Sequence, residues 1–461
     1  MTTYPTQDPL AGRTVLILGF ARQGRALARW LPTIGARAIA SDSRSASQLG
    51  VAPADFPDVE LRLGEQDLSL LDGVDVLCVS GGVPLDLPIV QAAQMRGIPL
   101  ANDAQFFLER CPAPVFGITG SAGKTTTTAL TGEIARAAGF RTWVGGNIGD
   151  VLLDELARIR PTDRVVMELS SFQLELMTVS PEYACITNIT PNHLDRHGTM
   201  ENYIRAKAHI LLHQDSPKNA VILGRDNAAT RDLAGDVLSQ LGWFSMAEIV
   251  PDGAFLAGER LVLAGISSAD GRPHVIGERG DIRLRGDHNV QNVLAACALT
   301  GAASIKPDIM IDAIRAFRGV PHRLEVVRVR EGVTWVNDSI ATAPERVLAA
   351  LRSYSEPVVL LLGGRDKNLP WEEMLALALQ RSRKVIVFGE VAEMVLRLTR
   401  TLGAASGVVV QAEGLEQAVR MAADAAQAGD VVLLSPGGTS YDAYVDFAAR
   451  GAHYRELVGA L

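Results

Sequence analysis

Short apolar runs alternate along the chain with stretches of helical spacing. Thr14–Leu18 is apolar and stops at Gly19; Gly24–Ile34 has helical spacing; Ala36–Ala40 reads as the next strand. Val74–Val79 is a further run, ending at Ser80-Gly81-Gly82. A helix-like Ala104–Arg110 then leads to the proline cluster Cys111-Pro112-Ala113-Pro114, which predicts a boundary. The pattern restarts with a strand at Val115–Ile118, a loop at Thr119–Gly123, and strands at Val165–Met167 and Ala184–Thr187. Residues 254–285 alternate more and carry many glycines, which predicts antiparallel strands before a helix at Asn289–Thr300. A second boundary falls near Gly319-Val320-Pro321. Beyond it lie four apolar runs, Thr334–Val336, Val358–Leu362, Lys384–Phe388 and Val431–Leu434, with helical spacers and a closing helix after Tyr441. Strand–helix alternation of this kind predicts α/β units built on parallel sheets. The boundaries divide the chain into 1–111, 112–319 and 320–461. No repeat of solenoid period interrupts the pattern.

Composition narrows what such units do. A chain of 461 residues is long enough for about three domains, each with its own core. Lys and Arg number 44 and Asp and Glu 52, a formal net charge of −8. That balance argues against general nucleic-acid binding, which depends on neutralising phosphates; an anionic substrate must meet a local basic cluster. No apolar run approaches the roughly 20 residues of a membrane span. The first residues lack a basic segment ahead of an apolar one, so no signal peptide is expected. Cys78, Cys111, Cys185 and Cys297 are far apart within apolar stretches. This excludes a zinc spacing and a disulfide framework, and predicts reduced, buried thiols in a cytoplasmic protein.

Candidate chemistry sits in the loops after strands. Gly19-Phe20-Ala21-Arg22-Gln23-Gly24 lacks the middle glycine of a dinucleotide fingerprint, and Asp42 stands where a ribose-binding acid would. It is open to two readings, a phosphate or sugar site at a helix N-terminus and a plain tight turn. Gly117-Ile118-Thr119-Gly120-Ser121-Ala122-Gly123-Lys124-Thr125-Thr126 is more specific. Backbone N–H groups of such a loop cradle phosphate, the lysine reaches the outer phosphates and the hydroxyl meets magnesium. Ile118 departs from the strict spacing. Glu168, following its strand, fits either a magnesium ligand or a helix-capping acid. His193 shares a loop with Asn188, Asn192 and Asp195. Lys207, by itself, reads as a solvated helix lysine. Polar or glycine-rich loops recur at Pro321–Glu325, Asn337–Ser339, Gly363–Lys367 and Ser435–Ser440, where open α/β sheets bind ligands.

The segments GITGSAGKTTT, MELSSFQLE, NITPNHLDRH, RAKAHI, GDHNVQNVLAA, PHRLE and NDSIAT occur in the order and spacing of the Mur ligases of peptidoglycan synthesis, and the chain resembles that family over essentially its whole length. ELSSFQLE and SPGGTSYDAYVDFAARG resemble the branch that adds D-glutamate to UDP-N-acetylmuramoyl-L-alanine. The resemblance implies a Rossmann-like UDP-binding domain, a central P-loop ATPase-like domain with an added antiparallel sheet, and a Rossmann-like C-terminal domain. It implies an ATP-dependent amide ligase working through an acyl phosphate, as a cytoplasmic monomer with two magnesium ions. Lys124 would act on the phosphates, with Thr125, Glu168 and His193 as metal ligands and Lys207 modified to N6-carboxylysine. Gly120, Ser121, Ala122, Gly123, Thr126, Asn289, Asn292, Arg323 and Asp338 would bind ATP. The UDP-sugar would meet Gly19, Phe20, Ala21, Asp42, Ser43, Arg44, Ser80, Gly81 and Gly82, with Asn147 nearby. Thr342, Lys367, Ser440, Tyr441 and Phe447 would hold glutamate. Ile340 stands where many relatives carry lysine, and Arg365 is the candidate for the missing charge. A nicotinamide-dependent dehydrogenase and a non-catalytic nucleotide-binding regulator are the competing classes.

Overall fold

The computed structural model describes residues 8–64, 66–149, 151–367 and 369–461, so the expectation for the extreme N-terminus lies in part outside the described residues. They form three sheets. The first is parallel throughout, in the order Val59–Leu63, Arg37–Asp42, Thr14–Leu18, Val76–Val79, Leu100–Ala101. Helix Arg22–Thr33 buries Leu27, Trp30 and Leu31, and Gly24 lets it approach its strand: a Cβ there would lie 2.0 Å from the carbonyl oxygen of Gly19.

The second sheet places Val115–Thr119 between Arg164–Glu168 and Tyr183–Ile186. Thr142–Gly146 forms one edge. On the other side the sheet continues through Ala220–Gly224, Gln240–Ser245 and Gly253–Ala257. The antiparallel strands expected in 254–285 are present, but they extend this same sheet through Arg260–Gly265 to Gly271–Glu278 and make no separate one. Helix Asp287–Ala302 is buried along most of its length. The third sheet runs Glu325–Arg330, Val333–Asn337, Val431–Gly437, Val358–Gly363, Ser382–Phe388, Val409–Gln411, parallel except for its first pair.

The described residues divide into two compact units. One comprises the chain up to Arg283 and Asp287–Phe317; the other, Leu284–Gly286 and Arg318–Leu461. The first unit therefore contains two sheets, and one core runs through both, from Trp30, Phe106 and Phe107 past Ala113 and Val115 to Leu152 and Val165. The proline cluster turns the chain without separating the sheets. Contacts that pin them include a two-pronged ion pair of Arg29 with Asp154 (2.7 and 3.1 Å), Asn102 Nδ2 to the carbonyl of Gln173 (2.7 Å), and the Arg196 guanidinium to the carbonyl of Val83. The four cysteines are unpaired; Cys78, Cys185 and Cys297 are buried, while Cys111 is only half-buried.

Candidate active site

The central glycine loop joins strand Val115–Thr119 to helix Lys124–Ala137. Ile118 is fully buried within the strand, so the loop proper begins at Gly120 and the departure from the strict spacing falls in the core. Gly123 caps the helix at φ +85°, and a Cβ there would lie 2.2 Å from Asn292 Oδ1. With no side-chain cap, the first-turn N–H groups are left for an anion. The loop is held from behind. The carbonyl of Asn188 accepts from Ser121 N–H (2.8 Å), Asn188 Oδ1 accepts from Ala122 N–H (3.0 Å), and Thr187 Oγ1 donates to the carbonyl of Ala122 (2.6 Å). Lys124 Nζ donates to the carbonyls of Gly120 (2.9 Å) and Ser121 (3.3 Å), which fixes its ammonium at the head of the loop. Thr125 and Thr126 are buried in the first turn, and Asn292 Nδ2 donates to Asn289 Oδ1 (3.1 Å).

Lys207 is not a solvated lysine. It is 1% exposed on helix Met200–Leu212, and its Nζ donates to the same Gly120 carbonyl (2.9 Å) and to Thr119 Oγ1 (3.3 Å). Burial, reinforced by the Lys124 charge and opposed by Glu168, holds its ammonium pKa well below the ordinary lysine range. Glu168 ends its strand, fully buried. Asn147 Nδ2 donates to its Oε1 (2.9 Å), whereas its Oε2 is buried with no hydrogen-bond partner. A buried, orphaned carboxylate oxygen in the field of Lys207 fits a cation better than a capping role. Among the described residues no three His, Cys, Asp or Glu side chains gather to hold a metal alone, so a cation here would need hydroxyl or phosphate oxygens as well.

His193 is exposed at φ +53° and packs edge-on against Phe172 (centroids 5.1 Å). Phe172 stacks on His197, His197 lies against Tyr203, and Lys207 Nζ sits 4.7 Å from the Tyr203 ring, whose hydroxyl bonds Ser121 Oγ (3.0 Å). This aromatic file links the His193 loop to the phosphate loop. The sequence reading named neither His197 nor Tyr203; the spacing of Tyr203 and Lys207, one helical turn apart, is the signal that was available. The Asp195 side chain lies outside the described ones.

In the first sheet, Asp42 accepts the N–H of Phe20 (2.8 Å), the N–H of Arg44 (3.0 Å) and the Arg44 guanidinium on both oxygens (3.0 and 2.9 Å). Burial raises its pKa, but these bonds outweigh it and bring the carboxyl down to about 2. All its lone-pair sites are occupied, so Asp42 shapes the loop and is not a free ribose-binding acid. Ser80 Oγ donates to the carbonyl of Gly19 (2.9 Å), which ties the two expected substrate loops together. The Phe20 ring belongs to the core, against Phe56. Ala21, Ser43, Arg44 and Gly82 are exposed and Gly81 is half-buried.

The second unit gathers its own set. His322 and Leu324 adopt φ +64° and +44°, rare for such residues, on either side of the exposed Arg323. The turn delivers Leu324 N–H to Asp338 Oδ1 (3.2 Å), while Ser435 Oγ donates to Oδ2 (2.8 Å). Burial nevertheless pushes the Asp338 carboxyl up to about 7. A raised acid pKa favours the folded protein at low pH and loses that contribution as pH climbs from about 4 through about 7. Asp338→Asn is therefore expected to flatten the fall in melting temperature across that range. Identical pH profiles for variant and wild type would remove Asp338 as the cause.

Lys367 Nζ donates to Thr342 Oγ1 (3.3 Å). Arg365 and Thr439 exchange backbone bonds (both 2.8 Å), which sets the Gly363–Lys367 loop beside Ser440. The Arg365 guanidinium is already paired with Glu390 (2.7 and 2.8 Å), in an exposed and hence weak ion pair. Ser440 is buried and Tyr441 exposed. Ser339 Oγ donates to the carbonyl of Phe447 (2.8 Å). Behind these loops lies Arg450, absent from the sequence-level candidates. It is 1% exposed, and its guanidinium donates to the Ser339 hydroxyl and carbonyl and to the Gly438 carbonyl.

Residues 13–102 match the N-terminal domain of MurD-like Mur ligases, residues 118–300 the Mur ligase middle domain, and residues 322–438 the glutamate ligase domain of Mur ligases. A UDP-N-acetylmuramoylalanine–D-glutamate ligase of Symbiobacterium thermophilum is 40% identical over 96% of this chain and 97% of its own. The chain belongs to the Mur ligase family. A second D-glutamate ligase, of Acetivibrio thermocellus, is 37% identical over 98% of this Mur ligase and 97% of its own length. The UDP-N-acetylmuramate–alanine ligase MurC of Thermotoga maritima shares the fold, with a TM-score of 0.56 at 19% identity over 97% of this chain and 99% of its own. The three-domain α/β architecture is thus that of a Mur ligase, an ATP-dependent family.

Proposed function

We propose that this Mur ligase joins D-glutamate to UDP-N-acetylmuramoyl-L-alanine with cleavage of ATP. The single observation that carries the site reading is Glu168, whose orphaned Oε2 lies in the same buried cluster as the phosphate loop and Lys207. The relatives' names carry the choice of substrates.

The substrate carboxylate attacks the γ-phosphorus of ATP, the bond to the β,γ-bridging oxygen breaks, and ADP leaves. The glutamate amine then attacks the acyl phosphate. A proton is lost from nitrogen, the C–O bond to phosphate breaks, and the amide remains. Two anions must meet in the first step, so cationic groups at the junction dominate catalysis. Lys124 and the N–H groups of the Lys124–Ala137 helix orient the triphosphate. Magnesium, held by Thr125, Glu168 and His193 with phosphate oxygens, would neutralise charge on the transferring group. Lys207, whose ammonium is disfavoured by its surroundings, would lose a proton to solvent, form an N–C bond to carbon dioxide and release a second proton, and the resulting carbamate would add an anionic ligand. Asn289, Asn292, Arg323 and Asp338 hold the nucleotide, the loops at Gly19, Asp42 and Ser80 hold the UDP-sugar, and Thr342, Lys367, Ser440 and Phe447 hold glutamate. An arriving carboxylate displaces Glu390 from Arg365, which supplies the charge that Ile340 does not. We place the domain limits at 111/112 and 319/320.

The test is phosphate release from ATP with UDP-N-acetylmuramoyl-L-alanine and each enantiomer of glutamate. Release dependent on D-glutamate is expected. Release with L-glutamate alone reverses the enantiomer, and none with either leaves a nucleotide-binding protein. Among the described residues no helix is long and apolar enough to cross a membrane.

A further inference from the structure

We propose that Arg22, from the first sheet's glycine loop, is a positioning residue that fixes the carboxylate of Glu168 for its cation. The inference rests on the reading above only as far as Glu168 holds a divalent cation beside the nucleotide.

Arg22 is the first residue of helix Arg22–Thr33 and reaches across to the second sheet. Its Nη1 donates to the carbonyl of Gly149 (2.5 Å) and its Nη2 makes a longer contact with the carbonyl of Asn147 (3.5 Å). These carbonyls belong to the turn that leaves strand Thr142–Gly146. In that turn the N–H of Asn147 donates to the Glu168 carbonyl (2.9 Å), and its side-chain amide donates to Glu168 Oε1 (2.9 Å). Asn147 is thus gripped by Glu168 through its N–H groups and by Arg22 through the carbonyls of its turn.

The turn's own sequence does not supply rigidity. Gly145, Gly146 and Gly149 surround Asn147, and glycine backbone is the least restricted. A guanidinium presents a planar fork of donors, suited to pinning two carbonyls of one turn. Once the turn is pinned, the amide of Asn147 holds Oε1, and Oε2 is left in one direction. Groups that orient a metal-binding carboxylate from behind commonly change metal affinity 10–100-fold when removed. Arg22 acts one residue further back, so an effect of roughly tenfold is expected.

The measurement is binding of manganese to the full-length chain in the presence of ADP, by electron paramagnetic resonance. Arg22→Ala should weaken manganese roughly tenfold while ADP affinity without metal is unchanged. Arg22→Lys, which keeps one charged donor for Gly149, should recover part of the loss. Arg29→Ala is the control: it breaks the other cationic tie from the same helix, to Asp154, but touches no part of the turn, and should leave manganese affinity where it was. Equal weakening by Arg29→Ala would overturn the inference, since docking of the sheets would then be responsible. So would unchanged affinity in both Arg22 variants. A wild-type protein that binds ADP but no manganese would instead overturn the cation site at Glu168.

Discussion

Replacing Lys124 with alanine is expected to abolish ATP turnover while UDP-N-acetylmuramoyl-L-alanine still binds. Lys124 Nζ is fixed over the carbonyls of Gly120 and Ser121, at the mouth of an uncapped helix N-terminus. In the proposed reaction it would meet the transferring phosphate there as its charge redistributes. Loss of a positioned charge of this kind removes about 3–5 kcal/mol of transition-state stabilisation, a fall of roughly two to four orders of magnitude in kcat. The proposed uridine loops belong to the other sheet of the same unit, where Asp42 accepts the N–H of Phe20 and Ser80 donates to the carbonyl of Gly19, without reference to Lys124. Phosphate release and calorimetric binding of the UDP-sugar check the two halves separately. Turnover within tenfold of wild type would reject the assignment.

Lys207→Ala is expected to be nearly as damaging, and to be rescued chemically. A lysine whose ammonium is disfavoured by burial and by a second ammonium gives up its proton more readily, and the free amine reacts with carbon dioxide. The carbamate so formed is an anion that a cation near Glu168 would stabilise. Alanine removes both amine and anion but leaves a buried space bordered by Thr119, Gly120 and Tyr203. Millimolar acetate or formate should enter it and restore part of the rate, with no effect on the wild type. Full activity of the variant without added acid would make Lys207 dispensable. An inactive variant that no small acid helps would leave it structural and remove the carbamate.

The buried centre of each sheet was largely legible in the amino-acid pattern, because a strand covered on both faces must be apolar. Thr14–Leu18, Val115–Thr119 and Val358–Gly363 all lie within a residue or two of their apolar runs. Edges were not. Val59–Leu63 and Glu325–Arg330 carry Glu and Arg among their valines and leucines, as half-exposed edges do, and so hide the strand signal. Ala220–Gly224 is a plain apolar run whose signal was present and passed over. In the site, loops with distinctive residues were found, whereas Arg450, Tyr203 and Arg22 were missed. Their importance comes from what they touch across long separations, as with Arg450 and Ser339, 111 residues apart. Lys207 shows the same limit from the other side: its helix looked ordinary until its neighbours were known.

The continuous core from Trp30 and Phe106 to Leu152 and Val165 bears on how this protein can be taken apart. The first sheet is not an exchangeable module. Grafting it from a relative with smaller side chains at Phe106 or Phe107 would leave voids at the seam, where large buried side chains cost about 2–5 kcal/mol each when truncated, and a larger one at Ala113 would overpack it. With the core shared across the seam, the two sheets are expected to melt together, as a single cooperative event in a calorimeter, and the nucleotide loop to be lost with the sheet that precedes it.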